Sequence, residues 1–185
     1  MRVISGISRG TKLKTIESDT TRPTLDRVKE SLFNILQDKI KNTVVLDLFA
    51  GSGALGIEAL SRGATKAYFC DKNPIAVKVI KENLSKTRLE EKAIVFNKDY
   101  IEAIRKINEP LSIVFLDPPY KLDLSAKAIN ELLKNNLITK DSIIIIETDE
   151  INRDVEEVRN IEEIEIVDTR KYGRANLLLL KRKRK

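Results

Sequence analysis

Five short apolar runs recur along this chain: Val44 to Leu46, Ala67 to Cys70, Ala93 to Phe96, Ile113 to Leu116 and Ile143 to Ile146. They do not alternate with polar residues, so each is expected to be a strand buried on both faces. The segments between them, Ala54 to Ser61, Ile75 to Leu84, Tyr100 to Lys106 and Ser125 to Asn135, read as helices. Strands that alternate with helices predict a parallel sheet covered on both sides. The end of the chain departs from that rhythm. Ile161 to Thr169 and Ala175 to Leu180 are β-rich runs joined by Arg170-Lys171-Tyr172-Gly173-Arg174, which predicts a closing antiparallel hairpin. The expected fold is α/β, a doubly wound mixed sheet of about seven strands.

The beginning of the chain also differs. Val3-Ile4 and Lys12-Leu13-Lys14 flank Gly6 to Gly10, which predicts a small basic β-hairpin arm over residues 1–20. Residues 21–185 then form the single compact domain. Thr24 is the expected N-cap of a helix carrying Leu25, Val28, Leu32, Ile35 and Leu36 at helical spacing to about residue 40.

Composition narrows the chemistry. The chain has no histidine and one cysteine, Cys70. Ser-His and Cys-His catalysis are excluded, and neither zinc nor any other metal is expected. A lone cysteine forms no internal disulfide and fits a reducing cytoplasm. No apolar run is long enough to span a membrane and no secretory signal is read, so the expected location is cytoplasmic. The net charge of +6 favours a polyanionic partner such as nucleic acid. The excess gathers at the ends, in Arg2, Arg9, Lys12 and Lys14 and in the tail Lys181 to Lys185. Arg2, Arg9, Lys12, Arg22 and Arg27 are the candidate RNA contacts. No dimerisation signal is present, so a monomer is expected.

The segment Asp47-Leu48-Phe49-Ala50-Gly51-Ser52-Gly53-Ala54-Leu55-Gly56 joins the first core strand to its helix. Glycines let a backbone turn tightly beside a ligand, and such ligands sit beyond the carboxyl ends of the strands. The spacing contains G-x-G-x-x-G, so a dinucleotide site is the rival reading. Asp47 argues against it, because a carboxylate there repels a pyrophosphate and attracts a cation. S-adenosylmethionine fits better, with its sulfonium, its amino group and its ribose diol. Asp47, Phe49, Ala50, Gly51, Ser52 and Gly53 would form its loop, Asp71 and Lys72 the ribose end, and Asp99 and Tyr100 the adenine end. Asp71 and Asp99 have the alternative reading of helix caps. For Glu58, one turn into the glycine helix, the simplest account is a solvated acid.

Asp117-Pro118-Pro119-Tyr120 directly follows a predicted strand. The prolines stiffen the backbone. Asp117 and the Pro118 carbonyl can accept hydrogen bonds from an amino group, and Tyr120 can stack on a flat ring. This set suits a grip on the exocyclic amine of a nucleobase, with methyl transfer onto nitrogen.

Together these motifs resemble the class I S-adenosylmethionine-dependent amino-methyltransferases. The pattern Arg9-Gly10, Lys12-Leu13, Thr21-Arg22-Pro23-Thr24, Asp26-Arg27-Val28-Lys29-Glu30 and Leu32-Phe33-Asn34, with Tyr172-Gly173 near the end, is narrower. It resembles the bacterial small-subunit ribosomal RNA guanine-N2 methyltransferases along essentially the whole chain. The resemblance implies a Rossmann-like core and S-adenosyl-L-homocysteine as the spent cofactor. It implies a guanine N2 of 16S rRNA, within an assembled or partly assembled small ribosomal subunit, as substrate. DNA and protein-glutamine amino-methyltransferases share the Asp-Pro-Pro-Tyr motif and remain alternatives. A non-catalytic RNA-binding assembly factor is a third.

Overall fold

The structure of the protein is a computed structural model, which describes residues 1–16, 23–119 and 124–184. One sheet contains β1 (Val44–Asp47), β2 (Lys66–Cys70), β3 (Ala93–Phe96), β4 (Leu111–Leu116), β5 (Ile138–Thr148), β6 (Ile164–Tyr172) and β7 (Ala175–Arg182). The spatial order is β3-β2-β1-β4-β5-β7-β6. β1 to β5 are parallel, and β7 lies antiparallel between β5 and β6. The order reverses between β1 and β4, and in open α/β sheets the carboxyl ends at such a switch point are where ligands bind. The doubly wound sheet with its antiparallel hairpin is therefore as expected.

The helices are α1 (Pro23–Leu36), α2 (Ala54–Ser61), α3 (Pro74–Thr87), α4 (Tyr100–Lys106), α5 (Ser125–Lys134) and α6 (Ile151–Arg159). The two-residue period of the strands sorts their side chains into two core layers. Val45, Ile113, Phe115, Ile143, Ile145, Leu177 and Leu179 pack in the layer that also holds Phe33 of α1, Ile57 of α2 and Ile80 of α3. Leu46, Val114, Leu116, Ile144, Ile146, Leu178 and Leu180 pack with Ile104 of α4, Ile129 of α5 and Val158 of α6. Phe33 meets Phe115 with ring centroids 5.7 Å apart, and the Arg62 guanidinium lies 4.9 Å from the Phe33 centroid. No helix of the described residues is long and apolar enough to cross a membrane.

Several elements differ from expectation. α1 stops at Leu36 and a 3-10 turn follows over Gln37–Lys39. Pro23 opens α1, so Thr24 lies within its first turn and is not the cap. Proline suits that first position because its missing N–H and fixed φ cost nothing there. β5 starts at Ile138, earlier than its apolar run, and α6 occupies a segment for which no helix was expected. β6 carries a bulge at Val167, between Ile166 and Asp168.

The amino-terminal arm folds back on itself as expected, through the antiparallel bridge Arg2 to Lys12 and the backbone N–H groups of Val3, Gly10 and Leu13, which donate to the carbonyls of Thr11, Val3 and Met1. Its Val3 and Leu13 are buried in the core layer of α1 and α2. The arm is held by polar groups as well. Glu58 accepts the N–H groups of Ile4 and Ser5 at 2.9 and 3.1 Å, and Ser8 donates its hydroxyl to the Thr87 carbonyl. Gly6 has φ +92°, and a Cβ there would lie 1.8 Å from the Ser61 carbonyl oxygen. Only glycine permits that approach.

Glu58 is thus neither solvated nor part of a cofactor site. It is fully buried, and it pairs with Lys29 at 3.2 Å and Arg62 at 2.8 Å. The Lys29 ammonium also donates to the Arg2 carbonyl at 2.8 Å. Burial pushes the Lys29 pKa down, and Glu58 opposes that shift. Removing Glu58 leaves the buried Lys29 ammonium without its counterion, and removing Lys29 leaves the buried Glu58 with Arg62 alone. Lys29→Met and Glu58→Gln should each lower unfolding free energy by about 3–5 kcal/mol. The double variant should lose clearly less than the sum, because the residues are coupled. Urea denaturation of the three variants tests this, and strictly additive losses would refute the coupling.

Candidate active site

Four carboxylates line the carboxyl edge of four adjacent strands. Asp47 ends β1, and Asp71, Asp99 and Asp117 follow β2, β3 and β4. The parallel registers place them. Asp47 pairs with Phe69 of β2 and with Phe115 of β4, so Asp71 and Asp117 both lie two residues beyond Asp47's level.

Asp47 is 2% exposed, and its Oδ2 accepts the Gly56 N–H at 3.0 Å. Burial pushes its carboxyl up to about 7. The Gly56 hydrogen bond opposes this and the Asp71 charge adds to it. The loop between them turns through Gly51 and Gly53, at φ +57° and +81°, and Gly53 forms the left-handed N-cap of α2. A Cβ at Gly51 would meet nothing within 4 Å, so glycine serves the turn there while the space beside it stays open. The Ala50 N–H donates to the Cys70 carbonyl, which ties the loop to the end of β2.

Asp71 braces this loop from the neighbouring strand. Its Oδ2 accepts the Gly51 N–H at 3.0 Å and its Oδ1 accepts the Asn73 N–H at 2.9 Å. Asn73, not Asp71, caps α3 by accepting the Ile75 N–H. Each Asp71 oxygen keeps a second lone pair for a ligand hydroxyl. Asp99 does cap its helix, α4, through the Ile101 N–H at 3.3 Å, and it remains exposed. Tyr100 stands against Phe49, ring centroids 5.5 Å apart, so the β1 loop and the start of α4 are joined. Lys72 is exposed, and Ser52 gives its carbonyl to Asn83.

Asp117 and Pro119 are exposed and Pro118 is half-buried at the mouth of this edge. Tyr120 and Arg22 lie outside the described residues. Arg2, Arg9, Lys12 and Arg27 are exposed. The Arg2 to Lys12 bridge places two of these cations side by side, and Arg2 and Arg27 line one groove with Met1, Ile4, Asp26 and Glu30. Among the described residues no group of His, Cys, Asp or Glu could hold a metal.

Sequence reasoning missed three residues of this region. Asn83 of α3 accepts the Lys14 N–H and donates to the carbonyls of Lys14 and Ser52, tying the arm to the glycine loop. Asn97 donates to the carbonyls of Asp71 and Lys72. Glu147 of β5 stands one residue beyond the Leu116–Ile146 pair, beside Asp117, and burial pushes its carboxyl up. A buried amide inside a helix leaves no sequence signal. Glu147 does leave one, an acid directly after a four-isoleucine run.

Residues 1–181 match the family described as Conserved hypothetical protein 95. The Ribosomal RNA small subunit methyltransferase D of Haemophilus influenzae is 41% identical over 152 residues, spanning 80% of this chain and 79% of its own. The Escherichia coli protein of the same name is 38% identical over 80% of this chain and 75% of its own. In the solved structure of Escherichia coli yhhF, 30% identical, the fold superposes with a TM-score of 0.82 over 100% of this chain and 99% of that one. The chain belongs to the Conserved hypothetical protein 95 family, and its fold is that of the class I methyltransferases.

The protonation of Asp47 gives a test of the glycine loop. A cationic ligand favours the ionised carboxylate, so below about pH 7 binding must release a proton. Affinity for S-adenosylmethionine should rise by up to about tenfold per pH unit as pH climbs towards 7, then level off. Calorimetry in buffers of different ionisation enthalpy reads the proton directly. An affinity that is flat between acid and neutral pH would remove Asp47 from cation binding.

Proposed function

We propose that this member of the family transfers a methyl group from S-adenosylmethionine to the exocyclic N2 amine of a guanine in 16S rRNA, in an assembled or partly assembled small subunit. The observation that carries the reading is the juxtaposition of the Asp47 glycine loop with Asp117 across the β1–β4 switch point. The two relatives above are named for ribosomal RNA small-subunit methylation, which supports rRNA as substrate. Guanine N2 comes from the sequence resemblance.

The residues present fit the cofactor. Asp47 offers a buried carboxylate to a cation, Gly51 leaves open space beside the turn, and Asp71 offers lone pairs to a diol. When bound, S-adenosylmethionine supplies a methyl group already activated by its sulfonium. The protein's task is then alignment, which can lower a barrier by about 7–11 kcal/mol. Asp117 and the Pro118 carbonyl accept hydrogen bonds from the amine. Positive charge builds on that nitrogen during transfer, so a fixed carboxylate stabilises the transition state more than the ground state. The base must leave its stack at a cost of a few kcal/mol, and stacking on Tyr120 returns roughly 1–3 kcal/mol of it. Arg2, Arg9, Lys12, Arg22 and Arg27 hold RNA phosphates.

The direct test offers labelled S-adenosylmethionine with small subunits, naked ribosomal RNA, duplex DNA and protein extract in parallel. Label recovered as N2-methylguanosine from subunit RNA is expected, and label in DNA or protein instead would overturn the substrate. Asp117→Ala should abolish methylation and leave cofactor affinity nearly unchanged by calorimetry. Neutralising one phosphate-binding cation should lower the slope of log affinity against log salt by about one unit. An unchanged slope would reject that residue's contact.

A further inference from the structure

Asn83 lies in α3 and is fully buried, and both polar atoms of its side chain are bonded to main chain. Its Oδ1 accepts the Lys14 N–H at 2.8 Å, and its Nδ2 donates to the Lys14 carbonyl at 2.9 Å. The other hydrogen of Nδ2 goes to the Ser52 carbonyl at 2.9 Å. One planar amide thus holds both main-chain groups of an arm residue and one group of the glycine loop, and its two donors are used up.

The loop end of this bond falls where the backbone is freest. Ser52 stands between Gly51 and Gly53, whose φ values of +57° and +81° glycine adopts at no steric cost. The Ser52 carbonyl and the Gly53 N–H share one planar peptide. A bond that holds the carbonyl therefore also aims the N–H, which donates to the Ala50 carbonyl at 2.8 Å. The arm end of the bond belongs to the segment that carries candidate phosphate contacts. Arg2 on the arm and Arg27 on α1 line one groove, so RNA phosphates that meet both hold the arm against the domain.

We propose that Asn83 is a positioning residue for the cofactor: it sets the Ser52–Gly53 peptide of the glycine loop while Lys14 is seated on it, so that RNA held by the arm and S-adenosylmethionine held by the loop tighten each other's binding. The proposal rests on the methyl-transfer reading of the site, with rRNA as substrate. When Lys14 leaves, the Asn83 amide loses two of its three bonds. Rotamer freedom then returns to the side chain that aims an N–H at Ser52, and the peptide between two glycines gains other orientations. Cofactor binding must select one of them, which weakens it. RNA favours the seated arm and removes that cost in advance, and linkage makes the effect reciprocal. S-adenosyl-L-homocysteine occupies the same loop, so departure of the methylated RNA loosens the spent cofactor for exchange.

The test measures binding of labelled S-adenosyl-L-homocysteine, which cannot transfer a methyl group, by equilibrium dialysis with and without unmethylated small subunits. In the parent the subunits should tighten its binding about fivefold or more, and in Asn83→Ala that ratio should fall to about one. The ratio compares a variant with itself, so a general loss of stability does not move it. Lys14→Pro guards against an Asn83→Ala protein that fails to fold. It leaves Asn83 in place and deletes the arm N–H that Oδ1 accepts, and it should lower the ratio as well. A parental ratio in either variant, or no tightening in the parent, overturns the proposal. Amide hydrogen exchange without any ligand reads the tie directly. The Gly53 N–H should exchange several-fold faster in Lys14→Pro than in the parent, and equal rates would break the link between arm and loop. Labelled S-adenosylmethionine then separates the two readings. Methylated subunits without coupling sink the proposal alone. Coupling without methylation of any RNA sinks the methyl-transfer reading and leaves the coupling, and a parent that binds no cofactor sinks both.

Discussion

The pairing of β1 with β4 is the contact on which the rest of this molecule depends. Sequence neighbours diverge there. The chain builds outward through β2 and β3 on one side, then returns to lay β4 on the other. Val45 opposite Ile113 and Leu46 opposite Val114 fix the register in both core layers. A slip of one residue would turn every buried side chain of one strand to the wrong layer. The same register sets Asp47 and Asp117 two residues apart in height. The packing that stabilises the sheet therefore also measures the distance between the two halves of the site.

A second constraint is polar and buried. Glu58 collects two backbone N–H groups of the arm, the Lys29 ammonium and the Arg62 guanidinium. Taking such charges out of water is costly unless every partner is present. The cluster therefore forms only when the arm, α1 and α2 are all in place. It also explains why a basic arm, which by charge alone would be a loose appendage, follows the contour of the domain as far as Lys14 and its tie to the glycine loop.

Much of this was legible in the residues, for identifiable reasons. Short uninterrupted runs such as Ile113 to Leu116, set between helical segments, read as strands buried on two faces, and the acids that follow them mark the edge of the candidate site. α6 escaped because Ile151, Val155 and Val158 are its few apolar residues within a charged segment. Their spacing is helical, but the stripe is too narrow to stand out. The arm was read as a hairpin and its two ends do pair, but the side chains that dock it on the domain are distant in sequence. Glu58 was unreadable for the same reason, because its meaning lies in Lys29, Ile4 and Ser5, which no local pattern connects to it. Asp71 and Asn73 both precede Pro74 and both suit a cap, and only the fold selects Asn73 and leaves Asp71 to brace the glycine loop.

The rim of the sheet carries a consequence of its own. β6 is a nine-residue strand with one side unpaired by β7, long enough to recruit a strand from another chain. The bulge at Val167 interrupts its regular ladder and twists the edge. Glu165, Asp168, Arg170 and Lys171 place charges of both signs along it, with Asp168 and Arg170 paired at 2.9 Å. An incoming strand would have to match a broken register while burying those charges. The irregularity at one residue thus makes this edge a poor template for a strand from another chain.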